Sequence, residues 1–339
     1  MKGRVMGNIS MTSRAIGRRS LILASAASVA APAIIRAEAP WPAKPIRIIV
    51  PFGPGGSTDI SMRILAPKLS EMLGQTCVVE NRAGAGGVVG TDIVTKSAPD
   101  GYTLGHCTVS QVVIAPALYE RLPFAPEKDL TPISPTVFVP MCLSVTRKGL
   151  KVNSVQELVA EMRANPGKLS YASNGIGATS HLAGANLLRL TGCQAEHVPY
   201  KSGAEAIQAL VNGDVQWAFD VPVLHGPHHR DGNLRILMAS PDRQPLIPDV
   251  PNPTEAGLPE FKAYSWFGIF GPAGLPKPVV ARMSTVMIET LADPAIRKRL
   301  DDNGLPPMLD YTPAKFEQFI SQERVFWPPI VRASGARVQ

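Results

Sequence analysis

The sequence predicts an α/β protein with mainly parallel sheets, divided into two lobes. Short apolar runs rich in β-branched residues alternate with stretches whose apolar residues recur at helical spacing, the pattern of repeated βαβ units. The chain has 339 residues, more than one hydrophobic core comfortably serves. Hydrophobic residues make up 45%, which supplies a core and excludes intrinsic disorder. The 33 prolines and 29 glycines follow no period, so collagen-like and low-complexity readings fail.

Charge comes next, because 34 Lys+Arg against 27 Asp+Glu give +7, a balance that suits nucleic acid. Its placement argues otherwise. Residues 1–37 carry Lys2, Arg4, Arg14, Arg18, Arg19 and Arg36 and no acidic residue. The pair Arg18-Arg19 precedes an Ala/Ser-rich apolar run, Leu21 to Ile35, with small residues at Ala37 and Ala39. That order is the order of a secretory signal, and the twin arginine points to Tat export. Removing those six leaves 28 basic residues against 27 acidic, a net charge of +1. Nucleic acid is therefore not an expected partner. The apolar run is too short to span a bilayer, which takes about 20 residues. The uncharged stretch Thr131 to Thr146 is broken by Pro132, Pro135 and Pro140. A periplasmic protein is expected.

The first block begins with Ile46 to Val50, a strand that ends at Pro51. The loop Pro51 to Asp59 follows, then a helix carrying Ile60, Ile64, Leu65, Leu69 and Leu73 and stopped by Gly74. Cys77 to Glu80 is a second strand, opening into Asn81 to Gly87 and a helix from Val88 to Ser97. Asp100-Gly101 is a turn, and Tyr102 to Cys107 a third strand.

The second block starts after Lys148. Ser154 caps a helix through Ala164, with Glu157 completing the capping box. Leu169 to Ala172 is a strand, and the loop Ser173 to Ser180 leads into the helix His181 to Leu190. His197 to Tyr200 is a strand, followed by Lys201-Ser202-Gly203 and the helix Ala204 to Val211. Val215 to Phe219 and Leu234 to Ala239 are further strands. Pro241 to Pro259 reads as a connector. A strand from Tyr264 to Phe270, a helix from Pro278 to Leu291, and helices starting at Asp293-Pro294 and Thr312-Pro313 complete the chain.

Several loops put Gly, Ser, Thr and Asn where a strand meets a helix N-terminus. Such an end offers unsatisfied N–H groups and partial positive charge, and glycine lets a ligand reach the backbone. Repeated in both blocks, they suit an anion held between lobes. Other chemistries lack their signatures. Gly84 to Gly90 is Gly-x-Gly-x-x-x-Gly after the second strand, not a dinucleotide fingerprint after the first. There is no P-loop, and Gly55-Gly56-Ser57-Thr58-Asp59 lacks the last glycine of a nucleophile elbow. Adjacent Ser180 and His181 diverge on a helix. His225, His228 and His229 have no carboxylate between them and read as exposed loop histidines, so neither metal nor cofactor is expected. Asp59 either meets a ligand amine or favours its own helix N-terminus. Phe52 and Trp266-Phe267 either wall a pocket or pack in a core. Lys201, beside a glycine loop, adds charge to an anion site or is simply solvated. Cys77, Cys107, Cys142 and Cys193 lie in or beside apolar segments and read as small buried hydrophobes. A Cys107–Cys142 disulfide stays open.

Trp41-Pro42 with Lys44 to Arg47, the Pro51–Asp59 loop, Val79 to Arg82 with Gly84 to Gly87, and Ala98 to Tyr102 resemble one known family. So do Asn165 to Leu169, Gly175 to His181, His197 to Lys201, Asp249 to Pro251 and Glu255 to Pro259. That family is the substrate-binding proteins of tripartite tricarboxylate transporters, also called the Bug family. The resemblance runs through nearly all of the chain after residue 40. It implies a two-lobed, type II periplasmic-binding-protein-like fold with a hinge and an inter-lobe cleft. The implied division is residues 40–142 for the first lobe, 143–240 for the second, and 241–339 returning to the first.

The resemblance also implies a function: capture of a small carboxylate, without catalysis, and delivery to membrane permease subunits driven by an ion gradient. The implied protein is a monomer. By position, the ligand-binding residues are Phe52, Gly53, Gly55, Gly56, Ser57, Asp59, Ala85, Gly86, Gly87 and Ser110 in the first lobe. The second lobe supplies Asn174, Gly175, Ala178, Thr179, Ser180, Tyr200, Ser202, Gly203 and Asp220. Departures fall at Ser202, where the family usually has Gly, at Ala178, a common Ser, at Val221, and in His225 to His229. Two alternatives share the fold: a secreted enzyme acting on a small acid, and a sensor that presents its ligand to a membrane kinase.

Overall fold

The computed structural model describes residues 41–338, so the expected export segment lies outside the described residues. The first block has the predicted order. β1 (Ile46–Val50) leads through a glycine loop to α1 (Ser57–Leu73), then β2 (Cys77–Asn81), α2 (Val88–Thr95) and β3 (Thr103–Thr108). The three strands are parallel, with Ile48 paired to both Val79 and Leu104. A π-helical turn, Ser110–Ile114, and the short helices α3 (Ala115–Leu118) and α4 (Pro126–Asp129) then carry the chain into β4 (Leu130–Thr146).

The second block holds α5 (Val155–Ala164), β5 (Ser170–Ser173), α6 (Thr179–Thr191), β6 (Glu196–Pro199), α7 (Gly203–Asn212), β7 (Trp217–Asp220), α8 (Pro222–Arg230) and β8 (Leu234–Ser240). Then come β9 (Tyr264–Pro272), α9 (Lys277–Ala292), α10 (Pro294–Asp302) and α11 (Pro313–Ser334).

The two blocks repeat one strand order. The first runs β2-β1-β3-β9-β4, and the second runs β6-β5-β7-β4, with β8 on the other side of β4. In both, three parallel strands are followed by a long antiparallel strand. That strand is β9 in the first block. In the second it is the C-terminal part of β4, whose N-terminal part pairs with β9. The crossings are neighbours: Pro140 pairs with Tyr264, and the next residue, Met141, pairs with Ser240. Ser240 Oγ accepts a hydrogen bond of 2.8 Å from the Ala263 N–H, tying the strands on either side of the junction.

β4 is one strand despite its three prolines. Proline cannot donate to a ladder and survives in strands at bulges or edges. Here the register shifts between Pro132 and Ser134 and again between Pro135 and Val137, absorbing the missing donors.

Two further expectations are corrected by packing. The connector after β8 lies on the second block: Ile247 and Val250 pack with Ile207, Leu210 and Ile236, and Phe261 and Ala263 with Leu158 and Trp217. The chain thus leaves that block at Tyr264, not at residue 241. His225 to His229 form part of α8, not an exposed loop; His225 is fully buried and sits 2.5 Å from Ser144 Oγ. The helix starts at Pro222, where the missing proline N–H is lost at no cost.

All four cysteines are free, so the Cys107–Cys142 pairing does not form. Cys107 Sγ faces Thr91 at 3.8 Å, while Cys142 Sγ donates to the Asp220 carbonyl at 3.3 Å. Among the described residues no helix is long and apolar enough to cross a membrane.

Candidate functional site

The first loop is shaped by Asp59 and Asn81. Asp59 is buried; its Oδ2 accepts from the Gly55 N–H at 2.9 Å, and Oδ1 from Asn81 Nδ2 at 3.0 Å. Arg63 Nε donates to both oxygens at 2.9 Å. Burial would raise the Asp59 carboxyl, but the Arg63, Gly55 and Asn81 hydrogen bonds and the Arg63 charge outweigh it and hold it below the usual range. Asn81 Nδ2 also donates to the Phe52 carbonyl at 3.0 Å. Asp59 therefore fixes the curve of Phe52, Gly53, Gly55, Gly56 and Ser57, the local of its two sequence readings. Helix α1 begins after Gly56 with no side-chain cap, leaving its first N–H groups without an internal partner.

The second loop is a run of positive φ angles: 146° at Gly84, 45° at Ala85, 63° at Gly86 and 93° at Gly87. Its carbonyls are occupied by protein donors. Tyr119 Oη donates to the Ala85 carbonyl at 2.7 Å, and Gln111 Nε2 to the Gly86 carbonyl at 2.6 Å. The Gly84 carbonyl takes the Gly87 N–H at 2.9 Å. Gln111 is itself oriented by the Thr108 N–H and hydroxyl, each 2.9 Å from its Oε1. A Cβ on Gly87 would overlap the Gln111 side chain, so glycine is required there on two counts. Helix α2, which starts at the next residue, also lacks a side-chain cap. The N–H groups of Gly87 and Val89 return to the Gly84 carbonyl and that of Val88 to the Ala85 carbonyl, so the loop is a closed turn at the start of α2. Ser110 follows β3, its N–H bound to Thr108 Oγ1 at 3.1 Å. Sequence reasoning missed Asn81, Gln111 and Tyr119 as residues that build these loops, because their partners are backbone atoms distant in sequence.

In the second block, Ser173 to Ser180 is held from beneath. The Asn174 N–H donates to Ser180 Oγ at 3.0 Å, the Gly177 N–H to His181 Nδ1 at 3.1 Å, and the Ala178 N–H to the Gly175 carbonyl at 3.2 Å. Ser180 thus spends its oxygen on the loop itself. Helix α6 starts at Thr179 after Ala178, again with no side-chain cap. Helices α5, α7, α10 and α11 differ: Ser154, Ser202, Asp293 and Thr312 cap them. Ser202 Oγ takes the Glu205 N–H at 3.3 Å.

Tyr200 divides between two places. Its N–H bonds to the Ser173 carbonyl at 2.9 Å, beside the loop. It lines a groove of about 550 Å³ with Ala204, Glu205 and Gln208 on α7 and Asp214 just after it. Burial, helped by the Asp214 charge, raises its phenol.

Asn174, Gly203 and Asp220 do converge. Asp220 ends β7 and is buried; Oδ1 accepts from the Val221 N–H at 2.8 Å, and Oδ2 has no hydrogen-bond partner. A Cβ on Gly203 would lie 2.7 Å from that Oδ2 and 3.5 Å from Asn174 Nδ2. Burial pushes the Asp220 carboxyl up to about 6, against the opposing pull of the Val221 N–H and Asn174.

The two blocks meet beside these loops. A Cβ on Gly177 would overlap Leu118 of α3, and Leu182 of α6 joins an apolar cluster with Val112, Ile114, Leu118 and Trp266. The second-block loop therefore lands on the first-block segment that runs from Ser110 to Tyr119.

Two Ser–His pairs are present, Ser144 with His225 at 2.5 Å and Ser173 with His197 at 2.6 Å. Among the described residues no carboxylate hydrogen-bonds either imidazole, so neither has the third member of a hydrolytic triad. No cluster of three His, Cys, Asp or Glu residues suited to a metal occurs among the described residues.

Residues 61–336 match the family described as the tripartite tricarboxylate transporter family receptor. The chain belongs to that family. Protein BugT of Bordetella pertussis is 38% identical to this receptor over 322 residues, covering 94% of this chain and 97% of BugT. The fold is shared with R. palustris Rpa4515 with adipate, at 31% identity and a TM-score of 0.82, over 88% of this chain and all of that one. MatC from Rhodopseudomonas palustris with bound malate gives 31% and 0.78, over 86% of this receptor and 100% of MatC. The periplasmic binding protein BugD gives 32% and 0.79, over 88% and 100%. The receptor thus has the two-lobed periplasmic-binding-protein fold, and it is a binding protein rather than an enzyme.

Proposed function

We propose that this receptor captures a small carboxylate between its two blocks in the periplasm and hands it to the membrane subunits of a tripartite transporter. The observation that carries the reading is the shared construction of three loops, at Phe52–Asp59, Ala85–Gly87 and Asn174–Ser180. Each leads into a helix with no side-chain cap, and in the second the carbonyls are held back by Tyr119 and Gln111. N–H groups and helix dipoles, not basic side chains, neutralise the carboxylate, in keeping with a net charge of +1 outside residues 1–37. Adipate and malate in two structural relatives support the ligand class. A ligand that touches both blocks favours their closed arrangement by its differential affinity, and no chemistry is needed.

Ser57 and Gly86 are assigned to one carboxylate, and Asn174, Thr179 and Gly203 to the remainder of the molecule. Export follows the twin-arginine segment, and the receptor works as a monomer. A thermal-shift screen of mono-, di- and tricarboxylates, aromatic acids and amino acids tests the reading, since a ligand bound only by the folded state raises the melting temperature. A rise with one carboxylate class, matched by calorimetry, supports it. No rise with any carboxylate sinks it.

A further inference from the structure

Three asparagines in the chain are followed by glycine: Asn174-Gly175, Asn212-Gly213 and Asn303-Gly304. In such a pair the glycine nitrogen reaches the asparagine side-chain carbonyl carbon with little obstruction, because glycine carries no Cβ. That nitrogen must give up its proton as it attacks, so the partner of its N–H decides which pair reacts. The Gly213 N–H donates to the Ala209 and Leu210 carbonyls at the end of α7, and the Gly304 N–H to the Asp301 carbonyl at 2.9 Å. A peptide carbonyl holds an N–H in place and is too weak a base to take its proton. Asn303 is tied as well, its Nδ2 donating to the Arg299 carbonyl at 2.8 Å. Gly175 differs. Its N–H meets a hydroxyl, Ser173 Oγ at 3.2 Å, and that oxygen lies 2.6 Å from Nε2 of His197, whose ring burial keeps neutral. Asn174 is exposed, and the nearest atom to a Cβ placed on Gly175 is the Tyr200 carbonyl oxygen, 3.8 Å away.

We propose that Asn174-Gly175 is a self-modification site, at which Asn174 is converted to aspartate or isoaspartate and the second-block loop is thereby disabled as an anion site. The Gly175 nitrogen bonds to Asn174 Cγ, and the side-chain NH₂ leaves as ammonia, taking the proton that Gly175 gives up by way of Ser173 and His197. Water then opens the five-membered imide. Opening at the side-chain carbonyl leaves aspartate; opening at the main-chain carbonyl leaves isoaspartate, with one more carbon in the backbone. Either product puts a negative charge on the loop. It also faces a buried carboxyl, since the site of a Gly203 Cβ lies 3.5 Å from Asn174 Nδ2 and 2.7 Å from Asp220 Oδ2. Isoaspartate in addition shifts Gly175 relative to the Asn174 N–H, which is anchored on Ser180 Oγ. The loss of binding rests on the carboxylate reading; the conversion itself does not.

The test is to age the folded chain in mildly alkaline buffer, digest it, and follow the amide-to-acid mass gain at all three asparagines, with an isoaspartate-specific methyltransferase to mark the rearranged product. Asn174 should convert at least about tenfold faster than Asn212 or Asn303. The converted chain, separated by anion exchange, should bind a carboxylate taken by the fresh chain at least about tenfold more weakly, because like charge now faces it. Asn174→Asp, its fold checked by thermal melting, should show the same loss without ageing. Conversion at Asn174 no faster than at the other two overturns the site, and unchanged affinity in the converted chain overturns its consequence. Absence of binding by the fresh chain to every carboxylate overturns the carboxylate reading and the consequence together, while the mass measurement still decides the site.

Discussion

His181 and His197 stack face to face, their ring centroids 3.9 Å apart and their planes 15° from parallel. Tyr171 continues the stack, 4.9 Å from His197, and Trp217 lies 4.4 Å beyond it. His181 accepts the Gly177 N–H and His197 contacts Ser173, so the pile of rings holds both ends of the second-block loop. Two imidazolium ions at that distance would repel, and the pair exists because both rings are neutral. Burial lowers each to about 4, with His197 adding to the effect on His181.

Acid should therefore weaken the fold. The unfolded chain protonates these rings below about 6.5, whereas the folded chain resists to about 4, so the unfolded state binds more protons in between. Stability is complete above that window and is lost as pH falls through it. His106, also lowered to about 4, and His225, lowered to about 3, act in the same direction. Urea midpoints at about pH 7.5 and about pH 5 check this: the midpoint should be lower in acid. Equal midpoints would remove the claim that the pair is held neutral.

Asp220 has the opposite sign. Its carboxyl rises from 3.8 to about 6 on folding, so the folded chain holds a proton that the unfolded chain has released, and stability falls as pH rises through that range. D220N should raise stability near neutral pH by about 2 kcal/mol, shrinking towards about pH 4 where the native acid is already neutral. Melting curves across that range measure the gain. A constant difference at all pH values would contradict the assignment.

Gln111 should matter for affinity more than for folding. Gln111→Leu removes the donor to the Gly86 carbonyl and the acceptor for Thr108, freeing the second loop to rotate its peptide groups. The expected loss is about tenfold in carboxylate affinity, the equivalent of about 1.4 kcal/mol. Tyr119→Phe, losing one hydrogen bond to the Ala85 carbonyl, should cost less. Calorimetry on both variants decides, and unchanged affinity in Gln111→Leu would detach that loop from the ligand.

Glu323 should matter for folding alone. It is buried on α11 and accepts from Trp266 and Trp327 Nε1, both at 2.8 Å, and from Tyr264 Oη at 2.6 Å. A leucine offers no acceptor and leaves two indole N–H groups and a phenol unpaired, so Glu323→Leu should lose about 2–3 kcal/mol in urea unfolding. Retained stability would show that the cluster rests on its aromatic packing.

Two glycines of the first block should part company on mutation to alanine. At Gly90 a Cβ would lie 2.6 Å from the Arg82 carbonyl oxygen and 2.8 Å from Pro51 Cα, both backbone atoms. At Gly53 it would meet nothing within 4 Å. Gly90→Ala should destabilise by about 2 kcal/mol or more, and Gly53→Ala by little, as read by urea unfolding.

Much of the architecture was legible because local signals agreed. The β-branched run Ile46 to Val50, the capping box Ser154–Glu157 and the starts at Asp293-Pro294 and Thr312-Pro313 each stand where the structure has an element. β4 was obscured because proline argues against strands, and only the partner's register reveals the bulges that accommodate it. The glycine loops of the site were visible as loops. Their construction was not, since Asn81 serves Phe52 across 29 positions and Gln111 serves Gly86 across 25. Asp59 illustrates the difference: its type and place suggested a ligand contact, but the structure commits both oxygens to Gly55, Asn81 and Arg63.

The shared strand β4 has a consequence for how the molecule comes apart. The first sheet is finished by β9, made after the whole second block, and the second sheet by the far end of a strand that begins in the first. The strands of the second sheet come from one stretch, 141–240, but those of the first do not, because β9 returns to it from beyond that stretch. Splitting the gene near residue 142 would give a first piece that lacks β9 and a second that carries β9 without its partners. Heat should accordingly melt the protein in one transition, because unravelling β4 disturbs both sheets together.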